Sequence, residues 1–172
     1  MKILLTGGSG CGKSTYAESL VLRYPQPRWY VATMMPYGEE SEKKIARHRA
    51  LRAAKGFETI EKQTDVGNIR IPGGTVLLEC LCNLTANEMF DALGKLHDPY
   101  EKILRDVRAL ASQADNLILV TNDVGSDGES YSPETMAYVE CLGRLNIAFA
   151  EEFDTVYELV CGIPLLRKGL AL

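Results

Sequence analysis

A chain of 172 residues with 46% hydrophobic and 24% charged residues has the balance of an ordinary soluble globular protein, long enough to bury a core. Its net charge of −4 excludes a nucleic-acid binder that works by bulk electrostatics, and no apolar run approaches the roughly 20 residues of a membrane span. Five cysteines (Cys11, Cys80, Cys82, Cys141 and Cys161) are odd in number and lack zinc-ribbon spacing, so reduced thiols acting as small hydrophobes are expected.

The run KILLT (2–6) is short and apolar and enters a glycine-rich turn, the pattern of a buried strand. The opening MKILLTGG has one lysine and then this strand, without the apolar stretch and cleavage site of an export signal, so the cytoplasm is the expected compartment. The turn GGSGCGKS (7–14) matches G-x-x-x-x-G-K-[ST], the P-loop pattern. Its glycines accept backbone angles that turn successive N–H groups inward around phosphate oxygens. A helix predicted over 13–24, stopped by Pro25 and Pro27, points its positive end at the same anion. Gly7, Gly8, Ser9, Gly10, Cys11, Gly12, Lys13, Ser14 and Thr15 are therefore the expected triphosphate cradle. Lys13 would neutralise the β- and γ-phosphates and the Ser14 hydroxyl would ligate Mg²⁺, with ATP or GTP as the nucleotide.

RWYVAT (28–33) is a second strand, rich in aromatic and branched residues. After MMPYG, residues 39–55 read as a long polar helix closed by Gly56. It carries KKIARHRALR, in which His48, one of two histidines, stands between Arg47 and Arg49, with Lys44 and Arg52 one turn away on the same face. A charge run of helical period is most often a solvated face. The same cations also disfavour a further charge on the imidazole, leaving it neutral and nucleophilic, and they would stabilise charge on a phosphate under attack.

FETIE (57–61) reads as a short strand, and QTDVGNIRIPGG (63–74) as a loop with at most one helical turn. TVLLEC (75–80) is a strand with a continuous apolar core, as parallel sheets covered on both faces require. It ends in an acid in the Walker-B manner, so Glu79 emerges at the carboxyl end of the sheet, where it would hold Mg²⁺ or contact nucleotide; the alternative is an acid that simply faces solvent. Residues 81–113 are mostly helical, broken near HDP (97–99), where His97 is an ordinary loop residue. NLILVT (116–121) is the next strand, followed by a polar loop, a helix over 133–152 and a last strand, DTVYELVCG (154–162). Strands alternating with helices imply βαβ units. The expectation is one α/β domain over 1–172, a three-layer P-loop NTPase-like fold with a mainly parallel sheet and helices on both faces.

Taken in order, these motifs resemble the bifunctional adenosylcobinamide kinase / adenosylcobinamide-phosphate guanylyltransferase family of cobalamin biosynthesis, over nearly the whole chain. That family's GG..SGKS, YIAT, RI..HR..R and W.T.E are matched by TGGSGCGKS, YVAT, KIARHRALR and FETIE. Its acid-cysteine pair with a following asparagine is matched by Glu79, Cys80 and Asn87, and its TNEVG, G.LN and G.P...K by TNDVG, GRLN and GIPLLRK. The P-loop alone is generic; joined to HRxxR it is specific.

The resemblance implies a two-stage transferase. A triphosphate's γ-phosphoryl group goes to the aminopropanol hydroxyl of adenosylcobinamide; GTP then guanylylates an active-site histidine, and the GMP passes to the cobinamide phosphate. The matching histidine is His48, which with Lys13 forms the expected catalytic pair, while Arg49, Arg52, Glu61 and Glu79 join the cradle in holding nucleotide and Ser14 and Glu79 hold the metal. It also implies a homo-oligomer, a trimer, with a corrinoid small molecule as substrate; charge and hydropathy already argue against nucleic acid or a membrane span as partner. This chain departs from the family pattern at Gly10, where the family has arginine, at Cys82, where it has threonine, and at 136–140, where Met136, Tyr138, Val139 and Glu140 replace an R.FRD pattern. Two other functions fit the same residues: a P-loop small-molecule kinase in which His48 is surface, and a non-catalytic nucleotide-binding relative.

Overall fold

The structure is a computed structural model that describes residues 1–36, 52–90, 94–125, 128–129 and 131–171. Seven strands form one sheet: β1 (Lys2–Thr6), β2 (Arg28–Ala32), β3 (Glu58–Glu61), β4 (Thr75–Glu79), β5 (Asn116–Val120), β6 (Thr155–Val160) and β7 (Ile163–Lys168). Their order is β3-β2-β4-β5-β1-β6-β7, and every neighbouring pair is parallel except the β6–β7 hairpin. One strand, β5, thus separates the strand that enters the P-loop from the strand that ends in Glu79.

Alternation along the strands divides the core into two layers. Ile3, Leu5, Leu77, Ile118 and Val120 point to one face, where they pack on Ala17, Leu20 and Val21 of α1 (Lys13–Val21) and on Phe57. Leu4, Val76, Leu78, Leu117 and Leu119 point to the other. There they meet α2 (Leu81–Met89), α3 (Tyr100–Ala111) and α4 (Pro133–Glu152) through Leu84, Val107, Leu145 and Phe149. Burial on both faces explains the uninterrupted apolar runs of the central strands. On the α3 side, Lys102 places its ammonium among Asp65, Glu88 and Asp106, tying α2 and α3 to the short 3-10 turn Val66–Asn68.

Several expectations change in detail. The first helix ends at Val21 rather than at 24. The break near 97–99 is wider than a kink: α2 ends at Met89, α3 starts at Tyr100, and Phe90 bridges Leu96 between them. The strand expected over 154–162 is β6, which ends at Val160, and it is not the last: Cys161 (φ 51°) and Gly162 (φ 81°) both take left-handed angles and fold the chain back in a two-residue turn into β7. The helix expected over 39–55, with His48 and Arg49, lies outside the described residues as far as 51. Its expected stop is seen, with Gly56 N–H on Ala53 O at 2.9 Å and Phe57 N–H on Arg52 O at 3.2 Å.

Candidate nucleotide site at the carboxyl end of the sheet

The P-loop runs from the end of β1 to the start of α1. Its backbone is packed from two sides. Gly7 sits so close to β6 that a Cβ there would lie 2.5 Å from Leu159 O, which is why no larger residue fits. The Gly162 N–H of the β6–β7 turn donates to Cys11 O at 2.8 Å, and Asp123 N–H donates to Gly7 O at 3.2 Å. The N-cap of α1 is Gly12, which has no side chain to cap it, so the first-turn N–H groups are left for an anion. Lys13 is buried, 7% exposed, and its Nζ donates to Gly7 O at 2.8 Å and Gly8 O at 2.7 Å. The ammonium therefore lies folded over the loop that a phosphate would enter.

Ser14, one residue on, donates its hydroxyl to Glu79 Oε1 across the width of β5. Glu79 Oε2 accepts from the Tyr30 hydroxyl at 2.7 Å. Burial, and then the neighbouring Glu79 charge, push the Tyr30 phenol above its ordinary value, so it remains a donor. The Arg52 guanidinium stacks on the Tyr30 ring, 3.6 Å from its centroid. Periodicity assigns Arg52 to a cationic helix face; it is instead 7% exposed, and its Nε has no hydrogen-bond partner among the described residues. Glu61 ends β3 in register with Ala32, whose partner on the other side is Glu79. The two acids therefore stand in one row, two strand spacings or about 10 Å apart. A hydroxyl and a carboxylate meeting beside a phosphate cradle form a hard oxygen set that suits Mg²⁺.

The other motifs converge on the same edge. Thr33, the last residue of YVAT, both donates to Cys80 O and accepts from Cys80 N–H, each at 2.8 Å, fixing the turn after Glu79. Asn87 holds Thr33 O at 2.8 Å and Gln63 O at 2.9 Å, so it joins the ends of β2 and β3. Asn146 of GRLN accepts from the Thr121 hydroxyl at 2.7 Å and donates to Asn122 O at 3.3 Å, setting the loop that reaches Gly7. Cys82 is buried and accepts the Asn122 N–H at 3.2 Å. The neighbouring Cys80 and Cys82 thiols act on each other, which holds Cys82 below its usual range and pushes Cys80 above it. Sequence reasoning does not single out Tyr30, Thr33 or Asn146 as site residues. Tyr30 carries one readable signal, a hydroxyl inside an otherwise buried strand.

Of the positions that depart from the expected pattern, Tyr138 and Val139 pack on segments next to this site. The Tyr138 hydroxyl lies 3.4 Å from Cys82 O, and Val139 packs so tightly on Gly125 that a Cβ there would stand 2.6 Å from its Cγ1. Met136 is exposed. Glu140 lines a cavity of about 220 Å³ with Met89, Leu96, His97 and Arg144. The structure thus brings the P-loop, Ser14 and Glu79 together, places Glu61 and Arg52 at the same edge, and leaves His48 and Arg49 undescribed.

Comparison with known proteins fits this convergence. The model of the CobU family, cobinamide kinase / cobinamide phosphate guanyltransferase, matches residues 3–166. The chain belongs to this family. The bifunctional adenosylcobalamin biosynthesis protein CobU of Salmonella typhimurium is 30% identical over 184 residues, covering 98% of this chain and all of that one. CobP of Pseudomonas aeruginosa is 30% identical over 173 residues, covering 98% of each. The fold of the CobU-family chain is also similar to that of the flagellar accessory protein FlaH from Methanocaldococcus jannaschii. That likeness has a TM-score of 0.52 at 14% identity and covers 98% of this chain and 78% of FlaH. A second solved structure, of an ATPase domain, gives 0.51 at 11%, with 91% and 68% covered. These likenesses are of fold alone, a mainly parallel sheet with helices on both faces. Among the described residues no helix is long and apolar enough to cross a membrane.

Proposed function

We propose that this chain phosphorylates adenosylcobinamide with a nucleoside triphosphate and transfers GMP from GTP to the resulting phosphate through His48. One observation carries the reading: in a CobU-family chain, Lys13 lies on the P-loop carbonyls while Ser14 meets Glu79 at its edge. In the kinase step the substrate hydroxyl oxygen bonds to the γ-phosphorus, its proton leaves, and the bond from that phosphorus to the β,γ-bridging oxygen breaks. The P-loop amides and Lys13 hold the phosphates in line and neutralise charge that builds on them. In the second step a His48 ring nitrogen bonds to the α-phosphorus and pyrophosphate leaves. A phosphate oxygen of the cobinamide phosphate then takes the GMP and frees the histidine.

Mg²⁺ would be held by Ser14 and Glu79 and would neutralise charge on the phosphate oxygens. Glu61, in the same row as Glu79, faces the nucleotide side, and Arg49 adds positive charge near His48. Free thiols and a triphosphate-consuming reaction suit the cytoplasm. The trimer implied by the resemblance has a candidate edge in β7, where Ile163, Leu165 and Leu166 are exposed, and light scattering would measure it.

The deciding experiment incubates the protein with GTP labelled at the α-phosphate and looks for acid-labile, base-stable label on the chain. His48→Ala should abolish the label and leave triphosphate binding within about twofold. A His48→Ala protein that labels at the wild-type rate returns the helix to a solvated face and leaves the kinase reading alone.

A further inference from the structure

Among the described residues Glu79 has a donor on each of its two oxygens, and of these Ser14 belongs to the P-loop. The other, Tyr30, stands in mid-β2, in register with Leu77 and therefore on the sheet face shared by Glu79 two residues further along β4. Its hydroxyl reaches the carboxylate from the sheet side at 2.7 Å. The ring cannot swing away, because the Phe57 ring meets it edge-on with centroids 6.2 Å apart and the Arg52 guanidinium covers it at 3.6 Å. Arg52 and Phe57 both belong to the segment that follows His48 and enters β3, Arg52 being four residues after the histidine. The Arg52 Nε is sealed from solvent and unpartnered among the described residues, and the guanidinium lies over the ring face.

We propose that Tyr30 is a positioning residue that aims the Glu79 carboxylate at Ser14 and the metal, with Arg52 and Phe57 locking its ring, so that the metal side of the P-loop and the segment after His48 are held in one geometry. The inference rests on the nucleotide site proposed above. Its physical basis is rotational. A glutamate at a strand end turns about three side-chain bonds, and a donor on each oxygen fixes the carboxylate plane. Loss of one donor frees that plane and weakens metal binding, whereas the phosphate contacts of the loop do not depend on it. A tyrosine that merely filled the core would give way to phenylalanine with no effect on the metal.

The test measures binding of a non-hydrolysable GTP analogue by calorimetry over a series of Mg²⁺ concentrations and in EDTA. Tyr30→Phe keeps the ring, and with it the Arg52 and Phe57 contacts, so the fold is preserved. It should raise the Mg²⁺ concentration needed for half-maximal enhancement by about tenfold and leave affinity in EDTA unchanged. Arg52→Lys, which lacks the flat guanidinium, should shift the Mg²⁺ dependence in the same direction by less. A Tyr30→Phe titration that superimposes on wild type, or an equal loss with and without Mg²⁺, overturns the inference while leaving the nucleotide site standing. A wild-type protein that binds no triphosphate overturns both.

Discussion

Lys13 shows how the P-loop satisfies its own cation. Its ammonium is buried, and its hydrogen bonds to Gly7 O and Gly8 O replace the water it has lost. A triphosphate offers the same ammonium stronger, charged acceptors. Lys13→Ala should therefore lower ATP or GTP affinity at least tenfold, about 1.4 kcal/mol, as measured by calorimetry. Unchanged affinity would show that the loop is not the nucleotide site. Because Lys13 is also tied into the empty loop, the variant should unfold at somewhat lower urea concentration, which a P-loop lysine free in solvent would not cause. Arg52 makes the complementary point. A cation that reads as part of a solvated stripe is folded onto an aromatic face, and its charge is used where periodicity alone would not have placed it.

At the scale of elements, α4 connects the site to the core. Ser132 accepts the Thr135 N–H at its start, and Phe149 is fully buried near its end. Between them Asn146 holds the end of β5. Thr121 is fully buried, so Asn146→Ala leaves its hydroxyl only the long 3.8 Å contact with Cys82 Sγ and should cost about 1–3 kcal/mol in urea unfolding. The same change loosens the 121–123 loop that donates to Gly7, so triphosphate affinity should fall as well. A variant that loses stability but binds nucleotide as wild type would separate the loop from the cradle. β7 is the element that sequence patterning overlooks. It lies at the sheet edge, largely exposed along its length, and so lacks the apolar alternation that marks a half-buried strand.

At the scale of the whole molecule, ion pairs link elements that the sheet keeps apart. Hydrogen bonds from Lys102, Arg144 and Arg108 hold Asp65, Asp98 and Glu152, respectively, below the ordinary carboxylate range. A carboxylate with a depressed folded value stabilises the protein fully above its unfolded value, and that contribution is lost as pH falls through the folded one. The thermal midpoint should therefore be flat near neutrality and decline below about pH 4. Arg108→Ala should make that decline shallower, and an unchanged acid limb would show that the Arg108–Glu152 pair contributes nothing to it. The pairs are largely exposed, so 1 M salt should mute the effect.

The sequence by itself determined what depends on near neighbours. The P-loop and its helix, the apolar strands, the acid at the end of β4 and the stop at Gly56 are written in spacings of a few residues, because backbone angles and helical or strand periods are local properties. Tertiary structure alone decided which faces meet. Ser14 and Glu79 are 65 residues apart, Tyr30 and Glu79 are 49 apart, and the turn at Cys161 and Gly162 supports a loop near the start of the chain. Such contacts follow from strand order in the sheet, and strand order is set by how the whole core packs rather than by any run of residues. Periodicity could therefore name Glu79 as a site residue, but only the packed sheet could bring Tyr30 beneath it and turn Arg52 inward.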